Sequence, residues 1–152
     1  MDAKKTLNAL PRYILRSPLH RLMSDRYMLL SFLGRRSGHT YTTPVAYLRQ
    51  GGTVILTTDS PWWMNLVDSP WVEVTLRGDT QAGRAEVIRA TDEAVEGLSA
   101  LVEALPSYGG FADVRRDDEG RANREDATRA IQNGRVLIRV ELHPTDGRKD
   151  AR

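Results

Sequence analysis

The chain contains no cysteine among its 152 residues. Disulfides, thiolate metal sites and cysteine nucleophiles are therefore excluded. Histidine is scarce, with three in all, and none stands at metal-ligand spacing from another, so no metal centre is expected. No apolar run approaches the roughly 20 residues that a bilayer-spanning helix needs. The opening Met1-Asp2-Ala3-Lys4-Lys5 leads into no signal-peptide core, and the expected location is the cytoplasm. The common phosphate loops are missing too. Gly34 to His39 lacks the Gly-Lys-Ser/Thr ending of a P-loop and the Rossmann glycine spacing. Ser37 stands directly before Gly38, which is not the arrangement of a nucleophile elbow.

What is present describes a folded domain. Charged residues make up 28% and apolar residues 40%, a balance outside the disordered range. The length suits one domain with a real core. The formal net charge is only +2, but it is unevenly spread. Lys4, Lys5, Arg12, Arg16, Arg21, Arg26, Arg35 and Arg36 crowd the first quarter against Asp2 and Asp25. Such a cluster suits a polyanionic small molecule, and it leaves peripheral membrane contact through the N-terminus open. Nucleic acid is not expected as a partner, because neither a recognition motif nor an aromatic stacking pattern accompanies the basic residues.

Leu7, Leu10, Ile14, Leu15, Leu19, Leu22 and Met23 recur at helical spacing, broken by Pro11 and Pro18. Residues 1–27 are thus expected to form an N-terminal amphipathic helical segment. From Met28 the pattern turns to strands, ending near residue 143, and residues 144–152 read as a basic, flexible tail. Gln50-Gly51-Gly52 signals one hairpin and Gly78-Asp79 another. Val72, Val74 and Leu76 alternate with polar residues, as do Val136, Ile138, Val140 and Leu142. One helix is clear between the last two strands: Thr91 caps it, Asp92 and Glu93 suit its positive end, and Val95, Leu98, Leu101, Val102 and Leu105 form its stripe. The charged run from Asp113 to Asp126 reads as a solvated loop or helix start, with no acid/base dyad in it. About six antiparallel strands with flanking helices predict a mainly β fold, a small barrel.

One stretch carries chemistry. Gly34-Arg35-Arg36-Ser37-Gly38-His39-Thr40-Tyr41-Thr42-Thr43-Pro44-Val45 joins two expected strands. Glycines allow close backbone approach, and backbone N–H groups with guanidinium forks suit a phosphate or carboxylate. Pro44 cannot donate to a ladder, which predicts a sheet edge there. A second stretch follows the third strand, where Thr57, Thr58 and Ser60 supply hydroxyls and Asn65 an amide. The adjacent Trp62 and Trp63 cannot share one helix face, so at least one of them is expected to point away from the core or to lie in a cleft.

Together these stretches resemble the deazaflavin-dependent nitroreductase family of split β-barrel, flavin-mononucleotide-binding-like oxidoreductases. The resemblance rests on Gly34-Arg35-Arg36-Ser37-Gly38, Thr43-Pro44-Val45, Tyr47-Leu48, Trp63, Asn65-Leu66, Pro70 and Pro106-Ser107-Tyr108, in order and spacing from about Leu29 to Leu142. It implies coenzyme F-420 as cofactor, with flavin mononucleotide (FMN) second. The cofactor would be held by Arg35, Arg36, Ser37 and Gly38 at its phosphate. Thr42, Thr43, Pro44 and Val45 would lie along its ring, and Thr57, Thr58, Ser60, Trp63 and Asn65 along its far side or tail. Trp62 and Phe111 would face a small planar acceptor (quinone, enone or nitroaromatic), and Tyr108, His39 or solvent would deliver a proton. Family members often carry a tyrosine where Phe111 stands, and the small Ala46 replaces larger side chains. The resemblance implies a hydride-transferring reductase, monomer or homodimer; a non-catalytic carrier of the same cofactor is the alternative.

Overall fold

A computed structural model describes residues 27–143 of the chain. The expected N-terminal helices and basic tail, and with them any membrane contact, fall outside the described residues. The strands are β1 (Tyr27–Leu33), β2 (Thr40–Ala46), β3 (Leu48–Gln50), β4 (Thr53–Thr58), β5 (Trp71–Leu76), β6 (Asp79–Ile88) and β7 (Val136–His143). A 3-10 turn, Pro61–Trp63, runs into α1 (Met64–Asp68) after β4. Between β6 and β7 lie α2 (Asp92–Ala104), α3 (Tyr108–Ala112) and α4 (Arg124–Gln132).

All pairings are antiparallel, in the order β2-β1-β5-β6-β7-β4-β3. The two outermost strands, β2 and β3, are separated in the chain by Tyr47 alone. A flat seven-stranded sheet cannot bring its two edges that close, so the sheet curls into a barrel left split between them. The expected six strands become seven because Tyr41 to Arg49, which reads as one strand, passes from one sheet edge to the other at Tyr47.

Alternation sorts the side chains into two cores. Met28, Leu30 and Phe32, Val54 and Leu56, Val72, Val74 and Leu76, and Val136, Ile138, Val140 and Leu142 belong to one buried cluster. Ile55, Ile88 and Leu137 point the other way, into a second cluster with α2, α3 and α4. At α2, the Thr91 hydroxyl accepts the Ala94 N–H at 3.3 Å and Asp92 and Glu93 occupy the first turn. Leu105, extended before Pro106, ends the helix.

Two local expectations are corrected. The β5–β6 hairpin turns on Arg77-Gly78, both at positive φ (50° and 83°), rather than on Gly78-Asp79. This is the two-residue geometry whose twist matches the strands. The single helix expected before β7 is joined by α3 and α4. The glycines of Tyr-Gly-Gly-Phe-Ala and the sparse apolar positions of α4 hide both from periodicity. The charged run supplies the Asn123 cap, whose Oδ1 accepts the Asp126 N–H at 2.9 Å.

Candidate active site

The Gly34–His39 turn leaves β1 and re-enters at β2. It is closed by Gly34 N–H to His39 O at 2.7 Å and Gly38 N–H to Gly34 O at 3.0 Å. The Ser37 hydroxyl accepts the His39 N–H at 3.0 Å and lies 3.3 Å from the Tyr41 hydroxyl. Gly38 sits at φ +74°, in the left-handed region. A side chain on Gly34 would meet the Tyr41 ring, with Cε2 2.6 Å from the added carbon. The turn therefore lies flat against Tyr41, which tilts on Phe32 with centroids 6.0 Å apart.

Asn65 on α1 fastens this turn to the opposite wall. Its Oδ1 accepts the Arg35 N–H at 2.8 Å, and its Nδ2 donates to Trp62 O at 2.9 Å. The amide read from sequence as a ligand donor is a clamp between two segments thirty positions apart. Trp62 in turn stacks on Phe32, with centroids at 5.1 Å and planes 19° apart. A cavity of about 540 Å³ opens between these parts, lined by Phe32, Gly34, Arg35, Arg36, Ser37, Tyr41, Thr42, Thr43, Trp62 and Asn65. Neither Arg35 nor Arg36 has a carboxylate partner among the described residues, and both are exposed. Two unneutralised guanidinium groups at the rim make this end of the groove receptive to anions.

A second cavity, about 470 Å³, shares Thr43 and Trp62 with the first. Pro44, Val45 and Ala46 of β2 form one side; Thr57, Thr58 and Ser60 form another; Tyr108 and Phe111 of α3 stand at its end. Among the described residues β2 pairs only with β1, so its other edge faces this groove, and Pro44 is tolerated there as expected. Thr58 Oγ1 accepts the Ser60 N–H at 3.1 Å and shapes the corner before the 3-10 turn.

Phe111 is 72% exposed and Tyr108 only 4%. The Tyr108 hydroxyl lies 2.5 Å from Thr57 Oγ1, accepts the Thr57 N–H at 3.3 Å and donates to Thr57 O at 3.2 Å. Burial pushes the Tyr108 phenol up from its ordinary value, opposed by the hydrogen bonds from Thr57 and by the nearby Arg135 charge. The loop after α3 is anchored by Asp126, 3% exposed. Its carboxylate accepts the Arg115 N–H at 3.0 Å, Arg115 Nε at 2.7 Å and Nη2 at 3.1 Å, and Arg129 Nη1 at 3.1 Å. The Arg115 side chain and backbone N–H hold this carboxyl well below the usual carboxylate range.

Most of the residues singled out in the sequence meet in this groove, and three do not line it. Trp63 is 9% exposed and packs in the barrel core under the Arg89 guanidinium, 4.9 Å from its ring centroid. Its neighbour Trp62 is the cleft member of the pair. Gly38 shapes the turn without lining either cavity, and His39 joins it through its backbone, with its side chain outside both linings. The sequence marks neither Phe32, which walls the basic end together with Tyr41, nor the buried Arg135 behind Thr57. Phe32 looks like any core position of an apolar strand, and Arg135 alternates with Arg139 and Glu141 on an apparently solvated face.

Solved structures with this architecture include the conserved hypothetical protein Rv2991 from Mycobacterium tuberculosis, with TM-score 0.60, 21% identity, and 84% of this chain and 81% of that one covered. An F420-H2 dependent reductase (FDR-A) aligns with TM-score 0.55 and 17% identity over 78% of this chain and 96% of its own. A FAD-binding protein from Mesorhizobium loti aligns with TM-score 0.54 and 13% identity over 84% and 91%. These likenesses establish the split-barrel fold. No curated protein matches the chain significantly. No helix among the described residues is long and apolar enough to cross a membrane. Residues 17–117 match the family model described as F420H(2)-dependent quinone reductase. The chain belongs to that family, a group of oxidoreductases that use coenzyme F-420 as cofactor.

Proposed function

We propose that the groove binds reduced coenzyme F-420 with its anionic tail at Arg35 and Arg36 and its ring beside β2, and that the acceptor is a quinone or a related planar compound. The observation that carries this reading is the meeting of the two cavities at Thr43 and Trp62. One cavity is rimmed by two guanidinium groups that have no carboxylate partner among the described residues, and the other ends at a phenol and an exposed phenyl ring. That polarity fits a cofactor with an anionic tail and a flat apolar ring. The Arg35 and Arg36 guanidinium groups suit phosphate and carboxylate oxygens.

When bound, the deazaflavin supplies a hydride. The protein's part is orientation and proton handling. Trp62 is held flat against Phe32, so it offers the ring a rigid wall at low entropic cost. The rigid Pro44 and the apolar Val45 form a wall from which no backbone donor of Pro44 can protrude. Thr58 and Ser60 place hydroxyls along the cofactor's far side or tail, while the Thr57 hydroxyl is taken up by Tyr108 and Arg135. The Tyr108 phenol keeps its proton at neutral pH, since burial pushes its titration upward; the proton rests on Thr57 O, and turning it toward the cavity that Tyr108 lines would offer it to the oxygen of a reduced acceptor. Phe111 gives the acceptor an apolar, planar surface without a hydroxyl, which favours quinones and enones over nitro compounds.

Fluorescence titration with coenzyme F-420 and with FMN, followed by turnover of the reduced cofactor with a quinone, an enone and a nitroaromatic, tests the reading. Tighter binding of coenzyme F-420 and fastest turnover with the quinone are expected. Equal or reversed cofactor affinities would overturn the cofactor assignment, and binding without turnover of any acceptor would favour a carrier.

A further inference from the structure

Arg135 is a buried cation that the groove chemistry above leaves unused. It precedes β7, its residue is 5% exposed, and Gly134 before it stands at φ 115°. The β4–β7 register pairs Thr58 with Val136, so Arg135 arrives at the end of β4 beside Thr57 and Asp59. Its Nη1 donates to Thr57 Oγ1 at 3.1 Å, its Nη2 lies 3.6 Å from an Asp59 carboxylate that is 73% exposed, and its guanidinium sits 5.6 Å from the Phe111 ring centroid. A charge buried with so exposed a counter-ion is costly for stability alone, and an apolar residue would pack there more cheaply. Such a placement asks for another role.

Hydrogen-bond directions supply one. Because Arg135 donates to Thr57 Oγ1, the Thr57 hydroxyl proton is free to point to the Tyr108 oxygen 2.5 Å away. The Tyr108 oxygen then accepts from both the hydroxyl and the N–H of Thr57, while its own proton points to Thr57 O. Two donors and a cation behind them stabilise the phenolate that remains once the proton has left.

We infer that Arg135 is a positioning residue for the acceptor end of the groove, acting through the Thr57 hydroxyl to hold Tyr108 as a proton donor. In its catalytic consequence this rests on the reductase reading above. The acceptor gains a hydride from the reduced cofactor, which is thereby oxidised, and the O–H bond of Tyr108 breaks as an O–H bond forms on the acceptor. The phenolate then regains a proton from solvent. Among the described residues, the charged groups around the phenol are Arg135, which faces it through Thr57, Asp59, which pairs with that arginine, and Asp113, Asp126 and Arg129, which line the small cavity where the guanidinium ends.

The test uses the full chain and the variants Arg135→Met, Arg135→Lys and Thr57→Val, with Tyr108→Phe as the spectroscopic blank. The first readout needs no cofactor: tyrosinate absorbance after a stopped-flow pH jump, subtracting the blank. Tyr108 should ionise at higher pH in Arg135→Met and Thr57→Val than in wild type, and near the wild-type pH in Arg135→Lys. In turnover with a quinone, both disabling variants should lose about tenfold or more in kcat, a fraction of what general-acid catalysis supplies. KM and cofactor affinity should hold, and the double variant should be no worse than either single one. An unmoved Tyr108 titration, or additive losses in the double variant, would overturn the inference. If Arg135→Met does not fold, Thr57→Val decides alone, and wild-type titration and kcat in that variant would refute it. A titration shift in the variants, with no coenzyme F-420 bound by the wild-type chain, would refute the reductase reading while leaving the relay standing.

Discussion

Replacing Asn65 by alanine separates the positioning of the basic turn from its charge. The substitution removes two hydrogen bonds, Arg35 N–H to Oδ1 at 2.8 Å and Nδ2 to Trp62 O at 2.9 Å, and no net charge. One of these bonds is exposed and the other half-buried, so water replaces them in part; at about 0.5–1.5 kcal/mol each, the tether amounts to roughly 1–2 kcal/mol. Cofactor affinity can fall by no more than the competent turn's loss of population. The expected loss is therefore about 5- to 30-fold. Titration of coenzyme F-420 at several salt concentrations, alongside urea unfolding, supplies the assay. Affinity should fall while its salt dependence stays as in wild type, because Arg35 and Arg36 keep their charges. Unchanged affinity in a destabilised protein would mean that the Gly34–His39 and Gly38–Gly34 bonds alone hold the turn, and the clamp argument would fail.

Arg36→Ala should weaken coenzyme F-420 binding by about 1.5–3 kcal/mol, the range for hydrogen bonds to a charged group. It should also flatten the salt dependence, and Arg49→Ala, outside the groove, should do neither; calorimetry on both checks this. Asp126 should shape the acid limb of stability. Its carboxyl is held below the ordinary 3.8, so its contribution is complete above that pH and drains away as pH falls through the lower folded-state value. Asp126→Asn should lower stability at neutral pH and flatten the acid limb in urea melts taken from pH 6 downward; a parallel limb would disprove the assignment. Phe111→Tyr should raise nitroaromatic turnover and leave cofactor affinity nearly constant, since the ring is exposed at the acceptor end. Steady-state kinetics with a nitroaromatic and a quinone decide it, and strong nitro reduction already present in wild type and untouched by the change would refute the role given to Phe111.

The parts of this site written in adjacent residues could be read without coordinates. A glycine-flanked arginine pair and a proline on the next strand state their own backbone geometry, and the fold places them at an open edge as that geometry requires. Alternation likewise names the inward faces of β5 and β7, because a period of two leaves no choice of face. Contacts made across the fold carry no such local mark. Asn65 meets Arg35 across thirty positions, and Tyr108 meets Thr57 across fifty-one. Arg135 was hidden for a further reason. Arg139 on the outer face of β7 pairs with Glu86, while Arg135, just before that strand, is sealed under Phe111 and Thr57, and a single sequence writes both as arginine at alternate positions of one apolar run. What separates them is coverage: α3 closes over one end of that strand face, and its glycines give no helical signal. That weak local signal therefore governs the end of the groove where Tyr108 and Phe111 stand. Changes at Gly109, where an added Cβ would come within 2.5 Å of Val114 O, should disturb Tyr108 more than they disturb the barrel.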